Sequence, residues 1–228
     1  AIEALELSTF PVTWEERQAV LTIAAALDPA APQLHEKRPG NILVRGHVEK
    51  GDVQAALASG AVTVEGTFET AFVEHAYIEP EAGWARRVGD RIEITASTQA
   101  PYMDRDDTAA IMGLPPESIR IIPSACGGGF GSKLDLSVQP YVALAAWLTG
   151  QPAAMVYTRP ESLQSTTKRH PAIMRSRMAA SPEGNLLAMD FEGDFNTGAY
   201  SSWGPTVANR VPVHASGPYG VPNYRANT

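Results

Sequence analysis

Apolar positions along this chain recur at two spacings, and the switches between the two lay out its elements. Ile2, Leu5 and Leu7 form a short run in residues 1–12, read as a strand that ends at Phe10-Pro11. A helix is predicted around Glu15 to Leu27. The following DPAAPQLHEKRPGN has proline at 29, 32 and 39 and reads as a linker over a surface, with a first boundary near residue 40. Asn41 to Val48 is a short strand and Gly51 to Ser59 one or two helical turns. Ala61 to Ala71, Tyr77 to Val88 and Arg91 to Ser97 alternate as strands, the last two closed into a hairpin by Gly89-Asp90. Tyr102 to Met112 is a helix stopped by Gly113 and Pro115-Pro116.

The second half starts with a β-type run, Ile119, Ile121 and Ile122, broken at Pro123-Ser124. Val138, Tyr141, Val142, Ala145 and Leu148 then recur at helical spacing until Gly150 and Pro152. Ala154 to Thr158 is a strand, and residues 172–180 and 185–196 form a hairpin about Ser181-Pro182-Glu183-Gly184-Asn185. Beyond Gly198, glycine at 198, 204, 217 and 220 and proline at 205, 212, 218 and 222 read as loop. Strands outnumber helices and connections are mixed, so the expected fold is α+β, with mixed sheets and packed helices. No short solenoid repeat is present.

Composition narrows the class. At 228 residues and 44% hydrophobic content the chain can build one large or two modest domains. No apolar run approaches the length of a membrane span, and the start lacks the basic and apolar regions of a signal peptide, so a cytoplasmic protein is expected. The missing initiator Met and the tail-less end VPNYRANT point to a fragment of something longer. A net charge of −7 argues against a general nucleic-acid or membrane surface. One stretch departs from it: between Arg159 and Arg177, Lys168, Arg169, His170 and Arg175 face the single acid Glu161. It reads either as a solvated basic face or as a contact with an anionic cofactor or acidic partner. The lone Cys126 excludes an internal disulfide and an all-cysteine metal site, so iron–sulfur centres belong elsewhere.

Candidate chemistry centres on Ile119 to Gly131, IRIIPSACGGGFG. Glycine at 127, 128, 129 and 131 suits main chain that takes φ > 0 or approaches another body closely. Free N–H groups ahead of a helix make an anion-binding concavity, so phosphate is the first expectation, with a ligandless tight turn as the alternative. Nucleotide patterns fail, however. A Walker loop needs Gly-Lys-Ser/Thr where Ser132-Lys133-Leu134 stands, and a dinucleotide fingerprint from Gly127 needs glycine at 132. Alternation puts Glu79 and Glu81 on one strand face. Without a partner His or metal pattern, surface or structural roles are expected for them rather than acid–base work. His75 has no second histidine at ligand spacing and is read as a satisfied packing residue. Gly-x-Ser-x-Gly is absent. Gln99 follows the strand Ile92 to Thr98, where its amide either donates to an oxo or phosphate oxygen at the sheet's end or stabilises a turn.

Five motifs in order, EHAYIEPE (74–81), STQAPY (97–102), CGGGFGSK (126–133), KRHP (168–171) and NTGAYS (196–201), together resemble the large, molybdenum-cofactor-binding subunit of the xanthine dehydrogenase and aldehyde oxidoreductase family. The resemblance covers nearly the whole chain. It implies a molybdenum-dependent oxidoreductase, a hydroxylase in which a pterin dithiolene holds the metal and water supplies the oxygen inserted into a C–H bond. It assigns Gln99 a hydrogen bond to an oxo ligand, and Gly128, Gly129, Phe130 and Gly131 backbone packing against the same centre, which replaces the phosphate expectation. No side chain ligates the metal in that family, and Cys126 is read as a small residue before the turn.

Purine-oxidising members place a glutamate after the lysine, where this chain has Leu134. At this substrate position an apolar side chain points to an aldehyde or aromatic N-heterocycle rather than xanthine. The resemblance puts the catalytic glutamate base and an arginine motif downstream, so no catalytic residue is expected within residues 1–228 and no turnover by this chain alone. It implies that residues 1–40 are the end of a preceding small α/β (hammerhead-like) domain plus linker, and 41–228 the first part of the molybdenum-cofactor-binding domain. The implied cofactor is molybdopterin, with or without a cytosine dinucleotide. The implied partners are the remainder of the large subunit, an iron–sulfur subunit or domain with 2Fe-2S clusters, FAD in some members, and a small-molecule substrate. A non-catalytic assembly or cofactor-binding subunit is the alternative; Leu134 is compatible with it, Gln99 and the uninterrupted Phe130 loop speak against it. Oligomeric state stays open.

Overall fold

The computed structural model describes residues 13–228, so the strand expected in residues 1–12 lies outside the described residues. The elements in chain order are α1 (Ile23–Leu27), β1 (His47–Lys50), α2 (Val53–Ser59), β2 (Val62–Thr70), β3 (Ala82–Val88), β4 (Arg91–Ala96), α3 (Pro101–Met112), β5 (Ile119–Pro123), α4 (Gln139–Thr149), β6 (Ala153–Val156), α5 (Arg159–Ser165), β7 (Ala172–Ala180), β8 (Leu186–Phe195), α6 (Gly204–His214) and β9 (Asn223–Asn227). They build two mixed sheets with packed helices, the α+β architecture expected.

The smaller sheet has the order β5-β4-β3-β6, with β4 and β5 parallel and the other pairs antiparallel. Alternation decides its faces. Ile92, Ile94 and Ala96 of β4 and Ile119 of β5 point inward onto Ala109 of α3 and Val142, Ala143 and Ala146 of α4. On the outer face Glu93 sits directly across from Arg86 and Arg120, accepting from the first at 2.7 Å and the second at 3.0 Å. Helix α3 is the crossover between the two parallel strands.

The larger sheet has the order β1-β9-β8-β7-β2. Val53 and Leu57 of α2 pack on Ala179 and Ala188. On the opposite face Val211 and Ala215 lie with Met189, Phe191 and Tyr224. Beside α2 a row of alternating charge crosses all five strands in register: Glu49, Arg225, Asp190, Arg177 and Glu65. Its centre is a two-pronged pair in which Arg225 Nε and Nη2 donate to Asp190 at 2.9 and 2.6 Å.

Several expectations are corrected. The first helix starts only at Ile23, because Thr22 caps it by accepting the Ala25 N–H at 3.1 Å. Strand β1 covers His47–Lys50 rather than 41–48. Strand β3 begins at Ala82 rather than Tyr77; residues 77–81 leave the ladder to bind other loops. Residues 159–165, expected only as part of a charged stretch, form α5, started by a reciprocal capping box between Thr158 and Glu161. The stretch after Gly198 is not all loop, since it holds α6 and β9. No helix among the described residues is long and apolar enough to cross a membrane.

Candidate functional site

One edge of the smaller sheet collects four connections. Ala82 pairs with Val156, Gly83 with Ala96, and Ala96 with Pro123, so residues 77–81, 97–100, 124–134 and 157–158 all emerge there. This is the carboxyl end of the two parallel strands, where open α/β sheets place ligands. The glycine segment therefore lies beside Gln99, as its position after β5 requires.

Two hydrogen bonds fasten the segments. The Gln99 N–H donates to the Lys133 carbonyl at 2.9 Å, and the Gly131 N–H donates to Gln99 Oε1 at 3.0 Å. The second bond takes up the acceptor end of the amide, so the exposed Gln99 side chain has Nε2 left to donate; that nitrogen has no protein partner among the described residues. Gly129 has no room for a side chain, because a Cβ there would lie 2.8 Å from Gln99 Cδ. Gly131 has φ +102°, a conformation that excludes L side chains. Phe130 is held at φ +52° with its ring 75% exposed, a strained backbone presenting an aromatic group outward. The N–H groups of Gly128, Gly129 and Phe130 have no partner among the described residues. Leu134 follows Lys133 in the short turn Ser132–Leu134 and is half-buried, and Cys126 is exposed, its thiol donating to the Gly128 carbonyl at 3.3 Å.

Beneath the loop lies a charged cluster whose joining role the sequence did not suggest. Glu79 Oε2 accepts from the Gly127 N–H at 2.6 Å, Lys133 Nζ at 2.7 Å and Ser97 Oγ at 2.8 Å. Lys133 is 3% exposed, also donates to Ser97 Oγ at 3.0 Å, and has its ammonium 4.7 Å from the centre of the Tyr77 ring. Burial pushes the Glu79 carboxyl upward, but Lys133, the Gly127 N–H and Ser97 outweigh it and hold the group below the usual carboxylate range. The signal available in the sequence was Lys133 itself: a lysine inside a glycine motif that is to be buried needs a carboxylate.

The two carboxylates expected on one strand face are thus separated. Glu79 reaches the loop, whereas the buried Glu81 accepts from the Tyr77 hydroxyl. Burial, then the Glu81 bond, pushes the Tyr77 phenol up. His75 is not the satisfied packing residue expected; its Nδ1 is buried without a partner among the described residues, as are Glu74 Oε1 and Glu81 Oε2. Residues flanking the later motifs reach the segment that follows the glycine loop. Thr167, beside Lys168, donates to Ser132 Oγ at 3.1 Å, and Ser202 donates to Asp135 at 2.6 Å. The basic stretch does not form one face: Arg159 donates to the Ile78 carbonyl at 2.6 Å, while on the larger sheet Arg175 pairs with Asp194 at 3.8 Å and Arg177 with Glu65 at 3.6 Å.

These features fit a large group with acceptor oxygens seated on the loop. Gln99 Nε2 and three unpartnered N–H groups offer donors, and at Gly127, Gly128 and Gly129 the absence of a Cβ lets the main chain lie close against Glu79, Tyr77 and Gln99. Among the described residues no group of three His, Cys, Asp or Glu side chains could hold a metal ion.

Comparison with known proteins gives the family of the chain. The family described as molybdopterin cofactor-binding domain matches residues 34–228. The chain is 40% identical over 226 residues to the nicotinate dehydrogenase large molybdopterin subunit of Eubacterium barkeri, covering 99% of this chain and 52% of that protein. A probable xanthine dehydrogenase subunit of Bacillus subtilis is 40% identical over 97% of this chain and 29% of its own length. The structure superposes on an aldehyde oxidoreductase from Desulfovibrio gigas with a TM-score of 0.83, 31% identity, and coverage of 93% of this chain and 24% of that one. The chain therefore spans about half or less of these relatives.

Proposed function

The chain belongs to the molybdopterin cofactor-binding domain family, and from that premise we propose that it forms part of the site of a molybdenum hydroxylase acting on an aldehyde or aromatic N-heterocycle. When bound, the molybdenum cofactor supplies the two-electron oxidation, with oxygen drawn from water. The residues of this chain bind and orient. Gln99 Nε2 and the N–H groups of Gly128, Gly129 and Phe130 donate to acceptor atoms of the cofactor, and the Gly131 bond to Gln99 Oε1 keeps the amide turned that way. Donors fixed in advance stabilise developing negative charge without reorganising. The single observation carrying this reading is that amide, its acceptor end occupied and its donor end free beside the glycine loop.

Leu134 marks the substrate side. An apolar group there lacks the charge and the hydrogen bond a purine would need, which favours substrates of the kinds for which the Eubacterium and Desulfovibrio relatives are named. In this reading residues 1–40 are the end of a preceding small domain with its linker and 41–228 the first part of the cofactor domain. The base that takes up the proton, the electron-accepting iron–sulfur and FAD groups, and the cytosine dinucleotide, where present, sit on or against other segments or subunits. Metal and pterin analysis of the full-length protein purified from its source tests the proposal. Molybdenum and pterin in equal amounts, with an aldehyde or N-heterocycle oxidised in preference to xanthine, is the expected result; protein free of both would overturn it.

A further inference from the structure

The glycine loop is short, rich in residues that favour disorder, and bears a strained Phe130, and it carries three unpartnered N–H groups in the segment bonded to Gln99. Something must hold it. The bonds within the loop, from the Ser132 N–H to the Gly129 carbonyl at 2.9 Å and from the Leu134 N–H to the Gly131 carbonyl at 3.4 Å, close only its last turn. The first residue is fixed from outside, by the one carboxylate oxygen that also receives Lys133 six residues later.

We propose that Glu79 is the positioning residue of the cofactor loop: its Oε2 fastens Gly127 and Lys133, the two ends of the segment, to Ser97 of the Gln99 strand end, and so sets where the donors between them point. The inference rests on the functional reading above and deepens it. Glu79 bonds none of the unpartnered N–H groups of Gly128, Gly129 and Phe130, so its action is indirect. Its charge is present at neutral pH, because Lys133 and the two other donors hold the carboxyl below its usual range. Lys133, at 3% exposure, makes its one ion pair with Glu79 among the described residues. The backbone reinforces the clamp, since the Glu79 N–H also donates to the Gly127 carbonyl at 3.4 Å.

Full-length protein carrying Glu79→Ala, Glu79→Gln or Ser97→Ala tests this through cofactor content, the electron paramagnetic resonance of the reduced metal, and hydrogen exchange of the loop amides. Glu79→Ala is expected to lower molybdenum and pterin together by about tenfold or more, the range for residues that orient a metal site from behind, while circular dichroism stays that of the wild type. Glu79→Gln keeps an acceptor at the same place and is expected to recover most of that loss and a near-native resonance spectrum. Exchange at Gly127 to Gly131 should quicken in Glu79→Ala and, to a lesser degree, in Ser97→Ala. Should Glu79→Ala fail to fold, the Ser97→Ala exchange decides, because that change removes a single hydroxyl. Unchanged exchange in Ser97→Ala, or native cofactor content and spectrum in Glu79→Ala, would overturn the proposal. Wild-type protein without molybdenum or pterin would instead overturn the functional reading beneath it.

Discussion

Gly129 shows how a single hydrogen atom in place of a methyl group serves this site. Its φ is ordinary, so Gly129→Ala introduces no backbone strain and acts only by pushing on Gln99. The substitution is expected to lower stability by about 1 kcal/mol, chiefly through the displaced Gly131 bond to Gln99, and to add little once Gln99→Ala has removed that bond, a coupling readable in urea unfolding of both single variants and the double. Purely additive effects would mean that the two residues do not touch. Asp104 of α3 makes a different residue-scale case. It is 1% exposed, its Oδ2 accepts from Gln139 Nε2 at 3.0 Å, and its Oδ1 has no partner among the described residues. Burial, only partly offset by Thr98 and Gln139, pushes its carboxyl above the ordinary value. The folded state therefore binds the proton more tightly than the unfolded chain, and stability falls as pH rises from the ordinary carboxylate value through the raised one. Asp104→Asn is expected to remove that fall and to match or exceed wild-type stability at neutral pH, measured as unfolding midpoints across pH. A steeper loss in the variant would refute this.

At the scale of elements, some starts were written plainly and others were not. Strands β4 and β5 and helices α3 and α4 were legible because alternation or helical spacing ran into glycine or proline stops. Helix α5 had an equally clear signal, Thr158 followed three residues later by Glu161 with Pro160 in the first turn, masked by the charge run that overlaps it. Thr158→Ala is expected to cost about 1 kcal/mol in thermal or urea unfolding, the usual worth of such a cap. Helix α6 and strand β9 carry four prolines and four glycines in and around them from Gly198 onward, so local propensity argued against them; packing on Met189, Phe191 and Tyr224 overrides it. Across the larger sheet, Asp190→Ala would leave Arg225 facing Arg177 without the anion between them, and a loss of about 2 kcal/mol is expected. An unfolding midpoint equal to that of the wild type would show that the row of charges contributes little.

For the molecule as a whole, the candidate site was legible in its parts and not in its assembly. Gln99 and the loop from Gly128 to Gly131 stood out because glycine runs and a strand-end amide have few local uses. The carboxylate that joins Gly127, Lys133 and Ser97 could not be read, since Glu79 is 48 residues from the first of these and the pairing exists only once the sheet has brought its edge together. The missed α6 and β9 and the missed clamp share that cause, which is contact between residues distant in sequence, whereas α5 was missed despite a local signal.

Strand β1 illustrates what such contacts demand of a chain emerging from the ribosome. Among the described residues it pairs only with β9, Val48 against Ala226, and Gly46 exchanges hydrogen bonds with Thr228. The four residues of β1 must wait unpaired until residues 223–227 have been translated. The glycine loop sits on the other sheet, whose strands all lie between residues 82 and 156, so that half can form while its neighbour is still unfinished.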